Sequence, residues 1–216
     1  MALHALRHNP EFEVIALLTT VTEGYDRISM HGVRRELLHR QAESIGLPVE
    51  EVLIPPQCVN AVYEARMGEA VLRFREHGVR HVGFGDIFLE DLRAYREQKL
   101  LAAEMTAIFP IWKADTRELA ARFVRDKFRA IAVCIDPRRL DKSFAGRELD
   151  ETFFRDLPAG VDPCGENGEF HTFVFSGPIF QAAIPVQVGT VVERDAFVFC
   201  DVLPVRNADA GVDSRD

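Results

Sequence analysis

The sequence predicts an α/β protein: a parallel-sheet domain followed by a smaller α+β domain. Three observations carry this. Through about residue 105, short apolar runs alternate with helical patterns, the order that yields βαβ units, right-handed crossovers and a parallel sheet. From about Gly146 onward glycine and proline become frequent, and HTFVFSG and DAFVFCDVL alternate in the manner of strands. No flexible linker separates the two textures. The expected division is 1–105, 106–204 and a frayed polar tail at 205–216.

The elements follow in order. EVIALLTT (Glu13 to Thr20) reads as a strand buried on both faces of a parallel sheet. In HGVRRELLHRQAESIG, Val33, Leu37, Leu38 and Ile45 share one helical face before Gly46 ends the helix. VEEVLIPP is a second strand stopped by Pro55 and Pro56. A helix from about Ala61 to Glu76 carries Tyr63, Met67, Val71 and Phe74 on one stripe, with His77 and Gly78 at its end. VRHVGFGD is a third strand, and a helix from about Glu90 to Ala103 follows. FPIWKADTRELAARFVRDKF predicts a turn and an amphipathic helix capped by Asp115 or Thr116, and RAIAVCIDP a buried strand ended by Pro137. PIFQAAIPVQVGTVVE and DAFVFCDVL complete the series as strands.

Composition narrows the class. With 47% hydrophobic and 28% charged residues the chain is of ordinary globular type. No apolar run approaches the roughly 18 residues of a membrane span, and the N-terminus lacks a signal pattern, so the cytoplasm is the default location and no membrane partner is expected. A net charge of -8 argues against a nonspecific nucleic-acid surface. Cys58, Cys134, Cys164 and Cys200 are widely spaced without C-x-x-C, which speaks against a zinc ribbon or a disulfide framework. Cys134 and Cys200 read as small core hydrophobes.

Ligands of open parallel sheets bind beyond the carboxyl ends of the strands. That selects Thr19 and Thr20, Gln57 and Cys58, and Gly85 with Asp86. Glycine at a strand end lets a ligand approach the backbone, and Asp86 could hold magnesium or cap the next helix. Arg93, Arg96 and Glu97 form a solvated helix face or, beside a ligand, a binding group. The stretch CGENGEFHTFVFSGPIF, Cys164 to Phe180, allows three readings: a metal cage, an acid/base pair or a β-hairpin.

Gly85-Asp86-Ile87, then Arg93, Arg96 and Glu97, FPIWKADT, FAGRELD and CGENGEFHTFVFSGPIF, in that order, resemble the diphthine-ammonia ligase family. That family belongs to the ATP-pyrophosphatases of the PP-loop class, and the resemblance extends to about Leu203. It implies an adenine nucleotide alpha hydrolase-like (PP-loop) first domain and ATP-dependent amide formation, with ATP and magnesium required. A carboxylate, small or protein-borne, is adenylated and amidated by ammonia, releasing AMP and pyrophosphate. The resemblance implies catalytic roles for Asp86, Glu166 and Glu169, and magnesium on Asp86. Leu18, Thr19, Thr20, His31, Gly85 and Asp86 are implied at the nucleotide. Arg93, Arg96, Glu97, Asn167, Gly168, His171 and Thr172 are implied at the substrate, with a homo-oligomer allowed.

The chain departs from the family pattern in two places. The SGGKDS-type phosphate loop and its preceding strand are absent from it, so the sequence is expected to start just inside the helix after that loop. Asn167 stands where glycine is typical, and His171 where the residue is often acidic, so the acceptor need not be diphthine. Two alternatives accompany the ligase: a non-catalytic nucleotide-binding or regulatory protein, and a metal-dependent hydrolase centred on Cys164, Glu166, Glu169 and His171.

Overall fold

The computed structural model describes residues 1–205; of the expected tail only Val205 lies within them. The chain opens with helix α1 (Ala2–Arg7) and strands β1 (Leu17–Thr22) and β2 (Arg27–Ile28). Helix α2 (Arg35–Ile45), strand β3 (Val49–Ile54), helix α3 (Asn60–Glu76) and strand β4 (His81–Gly83) follow. Helix α4 (Glu90–Ala102), strand β5 (Thr106–Ile108), helix α5 (Thr116–Arg125) and strand β6 (Arg129–Ile135) come next. A 3-10 turn at Lys142–Phe144, helix α6 (Glu151–Asp156) and strands β7 (Phe170–Ser176), β8 (Val186–Arg194) and β9 (Phe197–Pro204) complete it.

Parallel pairing is present, but in two pieces. β1 runs parallel to β3, with β2 antiparallel on its other side, while β4 and β5 form a separate parallel pair. A cavity of about 460 Å³ lies between these pieces, lined by Leu17 to Thr20 and by His81 to Phe84. The expected single sheet is therefore interrupted. The first strand also starts at Leu17, not Glu13, and among its six residues only Val21 is buried, so it is not covered on both faces. The stripe of Tyr63, Met67, Val71 and Phe74 on α3 does face inward, but toward this cavity.

The largest core surrounds the antiparallel sheet, ordered β7-β6-β9-β8. β6 shows why RAIAVCI holds the centre: from Ala130 to Ile135 every residue is buried. Ala130 and Ala132 pack to one face with Phe144, Phe153 and Phe170, whose rings meet edge to face at 5.3 and 5.4 Å, a favoured aromatic geometry. Ile131 and Val133 pack to the other face with Phe173, Phe175 and Val202. Period-two alternation produces this two-sided core.

Val33 and Leu37 join that second cluster, so the apolar face at α2 covers the antiparallel sheet. Asp201 on β9 reinforces the join by accepting from Arg27 at 2.9 Å and Arg34 at 2.6 Å. α2 ends on Gly46 in the left-handed conformation, and Asp115 caps α5 by accepting the Glu118 N–H at 2.9 Å. The segment from Pro178 to Pro185, expected as strand, is irregular. Its Gln181 and Ala182 N–H groups instead bond to Ser44 at the end of α2. Among the described residues no helix is long and apolar enough to cross a membrane.

Candidate functional site

The site is built on the turn from Asp162 to Glu169. Asp162 accepts the N–H groups of Cys164 at 3.1 Å and Glu166 at 2.9 Å, an arrangement that lets a short acidic side chain shape a turn. Glu169 closes it from the other end. One of its oxygens accepts from the Asp162 N–H and the Asn167 amide, and the other accepts the Asn167 N–H, at 3.0 to 3.1 Å. Only 2% exposed, Glu169 would rise in pKa from burial alone, yet these donors hold it below the usual carboxylate range. Gly165 is required here: its φ is +68°, and a Cβ would stand 2.7 Å from the Phe170 carbonyl oxygen.

The turn leans on the loop between β4 and α4. Glu166 Oε1 accepts the Ile87 N–H at 2.6 Å and the Phe88 N–H at 3.3 Å. Burial, with Asp86 and Asp162 nearby, pushes the Glu166 carboxyl above its usual range despite those donors. Asp86, buried, lies beside Arg96, with Arg96 Nε 2.9 Å from Oδ2. Arg96 Nη2 donates to Asp86 Oδ1 at 3.3 Å, while Nε and Oδ2 are close but misaligned and are buried without a hydrogen bond of their own. Asp86 does not cap α4, whose N-cap is Leu89 without a side-chain bond.

Cations and aromatics alternate along the same face. Arg96 lies 4.5 Å from the Phe84 ring, Phe84 stacks on Phe109 at 5.5 Å, and Arg93 covers Phe109 and Trp112 at 4.8 and 4.7 Å. Arg93 also donates to Glu97 at 2.8 Å. Stacked guanidinium groups keep in-plane donors directed outward, which suits planar anions such as carboxylates. Phe84, Phe109, Trp112 and Asp162 were not singled out from the sequence. FPIWK did place Phe109 and Trp112 before a helix, but nothing local shows that they stack on arginines.

The remaining expected residues separate into three places. Leu18, Thr19 and Thr20 line the cavity with Phe84 and Arg96. His31 is not among the residues lining that cavity; its ring lies 4.7 Å from that of His171. Burial lowers the pKa of both histidines, that of His171 to about 4 with His31 adding to the effect; both are neutral at pH 7. Thr172 pairs with Ala132 in the sheet. Asn167 spends its side-chain amide on Glu169, and Gly168 is a left-handed turn residue with open space around it. Gly83, not Gly85, makes the close approach: a Cβ there would meet Leu6 Cδ1 at 2.5 Å, whereas at Gly85 only Ala2 lies within reach, at 3.9 Å.

Among the described residues no group of three or more His, Cys, Asp and Glu side chains is arranged to hold a metal. Cys164 instead donates to the Thr116 carbonyl at 3.3 Å, with its pKa pushed up to about 12, chiefly by burial. The hydrolase constellation is not assembled. Asp86 Oδ2, which accepts no well-aligned hydrogen bond although Arg96 Nε lies 2.9 Å away, is a carboxylate oxygen of the kind that suits a magnesium ion arriving on phosphates, since such ions need only one or two protein carboxylates.

Residues 115–203 match the family described as the diphthamide synthase C-terminal domain. The chain is 26% identical over 180 residues to a Bos taurus protein named diphthine-ammonia ligase, covering 76% of this chain and 67% of that one. A Homo sapiens protein of the same name is 26% identical over 133 residues, covering 59% of this chain and 50% of that one. The resemblance to that family, drawn from the motifs, is shown by these matches.

Proposed function

We propose that this relative of the diphthine-ammonia ligases is an ATP-dependent amide ligase. An acceptor carboxylate oxygen attacks the α-phosphorus, the bond to the β-phosphoryl oxygen breaks and pyrophosphate leaves. Ammonia then attacks the acyl carbon, loses a proton, and AMP departs with the former carboxylate oxygen. The observation that carries this is the meeting of Glu166, from the matched domain, with the Asp86-Ile87-Phe88 loop next to Arg96.

The residues divide the work by chemistry. Leu18, Thr19 and Thr20 border the cavity that receives the adenosine end. Asp86 would hold a magnesium ion that arrives with the phosphates, and that ion would supply positive charge to offset the leaving pyrophosphate. Arg93 and Arg96 orient carboxylate or phosphoryl oxygens. Glu166, with its raised pKa, is suited to take the proton from ammonia. Glu169, whose oxygens are committed to the turn, acts as a positioning residue, and Asn167, Gly168, His171 and Thr172 belong to the acceptor side. The first 105 residues serve chiefly the nucleotide, with Arg93 and Arg96 reaching toward the acceptor side supplied by residues 106–204, and the cytoplasm is the site of action.

The test is AMP release from ATP and magnesium as a function of added ammonia and a panel of carboxylates. The ligase reading expects AMP and pyrophosphate in equal amounts only when both co-substrates are present. ADP in place of AMP, or no carboxylate that supports turnover, overturns it. Nucleotide binding without catalysis is favoured by one observation, that Glu166 and Glu169 are already bonded to backbone N–H groups. Saturable ATP binding with no AMP release would select that second reading.

A further inference from the structure

Two consecutive backbone N–H groups, those of Ile87 and Phe88, converge on one oxygen of Glu166. Successive N–H groups aimed at one point make an anion-binding concavity. This one is held rigidly: the Ile87 side chain is buried, and the Ile87 carbonyl accepts the Lys113 N–H at 2.7 Å. We propose that the Ile87 and Phe88 N–H pair is a binding site for an oxygen of a carboxylate or phosphoryl ligand, and that Glu166 occupies it until that ligand displaces it. The inference deepens the ligase reading by naming what the loop recognises, and rests on that reading for where the ligand comes from.

Two independent features make Glu166 a replaceable occupant. Its side chain is not needed for its own turn, because the Asp162 and Glu169 carboxylates and the Glu166 backbone N–H make those bonds. It can leave without unmaking the structure that carries it. Arg96, meanwhile, borders the cavity, and although it is paired with Asp86 through Nε at 2.9 Å and Nη2 at 3.3 Å, its buried Nε makes no well-aligned hydrogen bond. An arriving anion gains the two N–H groups that Glu166 now holds, on a loop whose Asp86 is paired with Arg96. Burial also disfavours the ionised form of Glu166 in its present place. Once displaced, its carboxylate is free to accept the proton that ammonia must lose.

The experiment follows the Ile87 and Phe88 amide resonances of the full chain by 15N NMR during titration with acetate or inorganic phosphate. Wild type is compared with Glu166→Ala and Glu166→Gln. If Glu166 fills the site nine-tenths of the time, its removal should tighten the apparent affinity about tenfold. Glu166→Gln, with a neutral and weaker acceptor, should fall between the two, and carries the comparison if the alanine variant does not fold. Response to acetate alone identifies the acceptor carboxylate as the source, and response to phosphate alone identifies the nucleotide; either supports the site. Amides that ignore both anions in a folded variant, or that respond at the same concentration as in wild type, overturn the proposal. Ammonia-dependent AMP release without any amide response would sink this site alone. Amide response without AMP release would sink the ligase and leave the site standing.

Discussion

Replacing Glu169 with glutamine tests the turn on which the whole site depends. The carboxylate accepts three N–H bonds while 2% exposed. Glutamine keeps one acceptor oxygen, so at least one of the three donors meets an NH2 group and is left unpaired. A buried unpaired donor costs about 1–3 kcal/mol, and the surviving bonds weaken because their acceptor is no longer charged, so we expect a loss of about 2–4 kcal/mol at pH 7. Urea unfolding at pH 7 measures it directly. The pH dependence supplies a second readout. Because the folded-state pKa of Glu169 lies below its ordinary value of 4.5, its stabilisation is fully present above that pH and is lost as pH falls through the folded pKa. The gap between wild type and variant should therefore narrow in acid. Equal urea midpoints at pH 7, with activity nevertheless lost, would refute the positioning role and return Glu169 to the chemistry.

Other substitutions probe the neighbours. Gly165→Ala forces a side chain into a left-handed backbone and onto the Phe170 carbonyl, so it should cost about 2 kcal/mol or more in urea unfolding; Gly24→Ala, at φ +79° with nothing within 4 Å, should cost less, and equal losses would show that the contact is unimportant. Arg93→Lys removes the planar group stacked on Phe109 and Trp112, and should raise KM for the acceptor carboxylate about tenfold with little change in kcat; an unchanged KM would remove Arg93 from the acceptor site. Cys134 and Cys164, with pKa values pushed up to about 12 by burial, are only about one part in ten thousand ionised at pH 8. A thiol reagent at that pH should therefore modify Cys58 first, and Cys164 reacting as fast as Cys58 would contradict its burial.

Local chemistry was legible in the sequence, and long-range closure was not. Gly46, Gly78 and Asp115 act at helix ends as expected because capping is decided within a few residues. The three-residue β5 and six-residue α6 were not foreseen, since neither is long enough to show a period. Val33 and Leu37 announced an amphipathic face but not which sheet it would cover. The site follows the same division. CGENGEF revealed carboxylates among glycines, yet the bond from Glu166 to Ile87 spans 79 positions and no local pattern reports it. Nor could spacing show that Asp162 and Glu169 would tie the turn while Glu166 reached across it.

The central claim is that an acceptor carboxylate attacks the α-phosphorus of ATP. It is tested most directly by labelling that carboxylate with 18O and analysing the products by mass spectrometry. Attack at the α-phosphorus predicts one labelled oxygen in AMP for each amide formed, and none in pyrophosphate. Label in inorganic phosphate, with ADP as the nucleotide product, would contradict it.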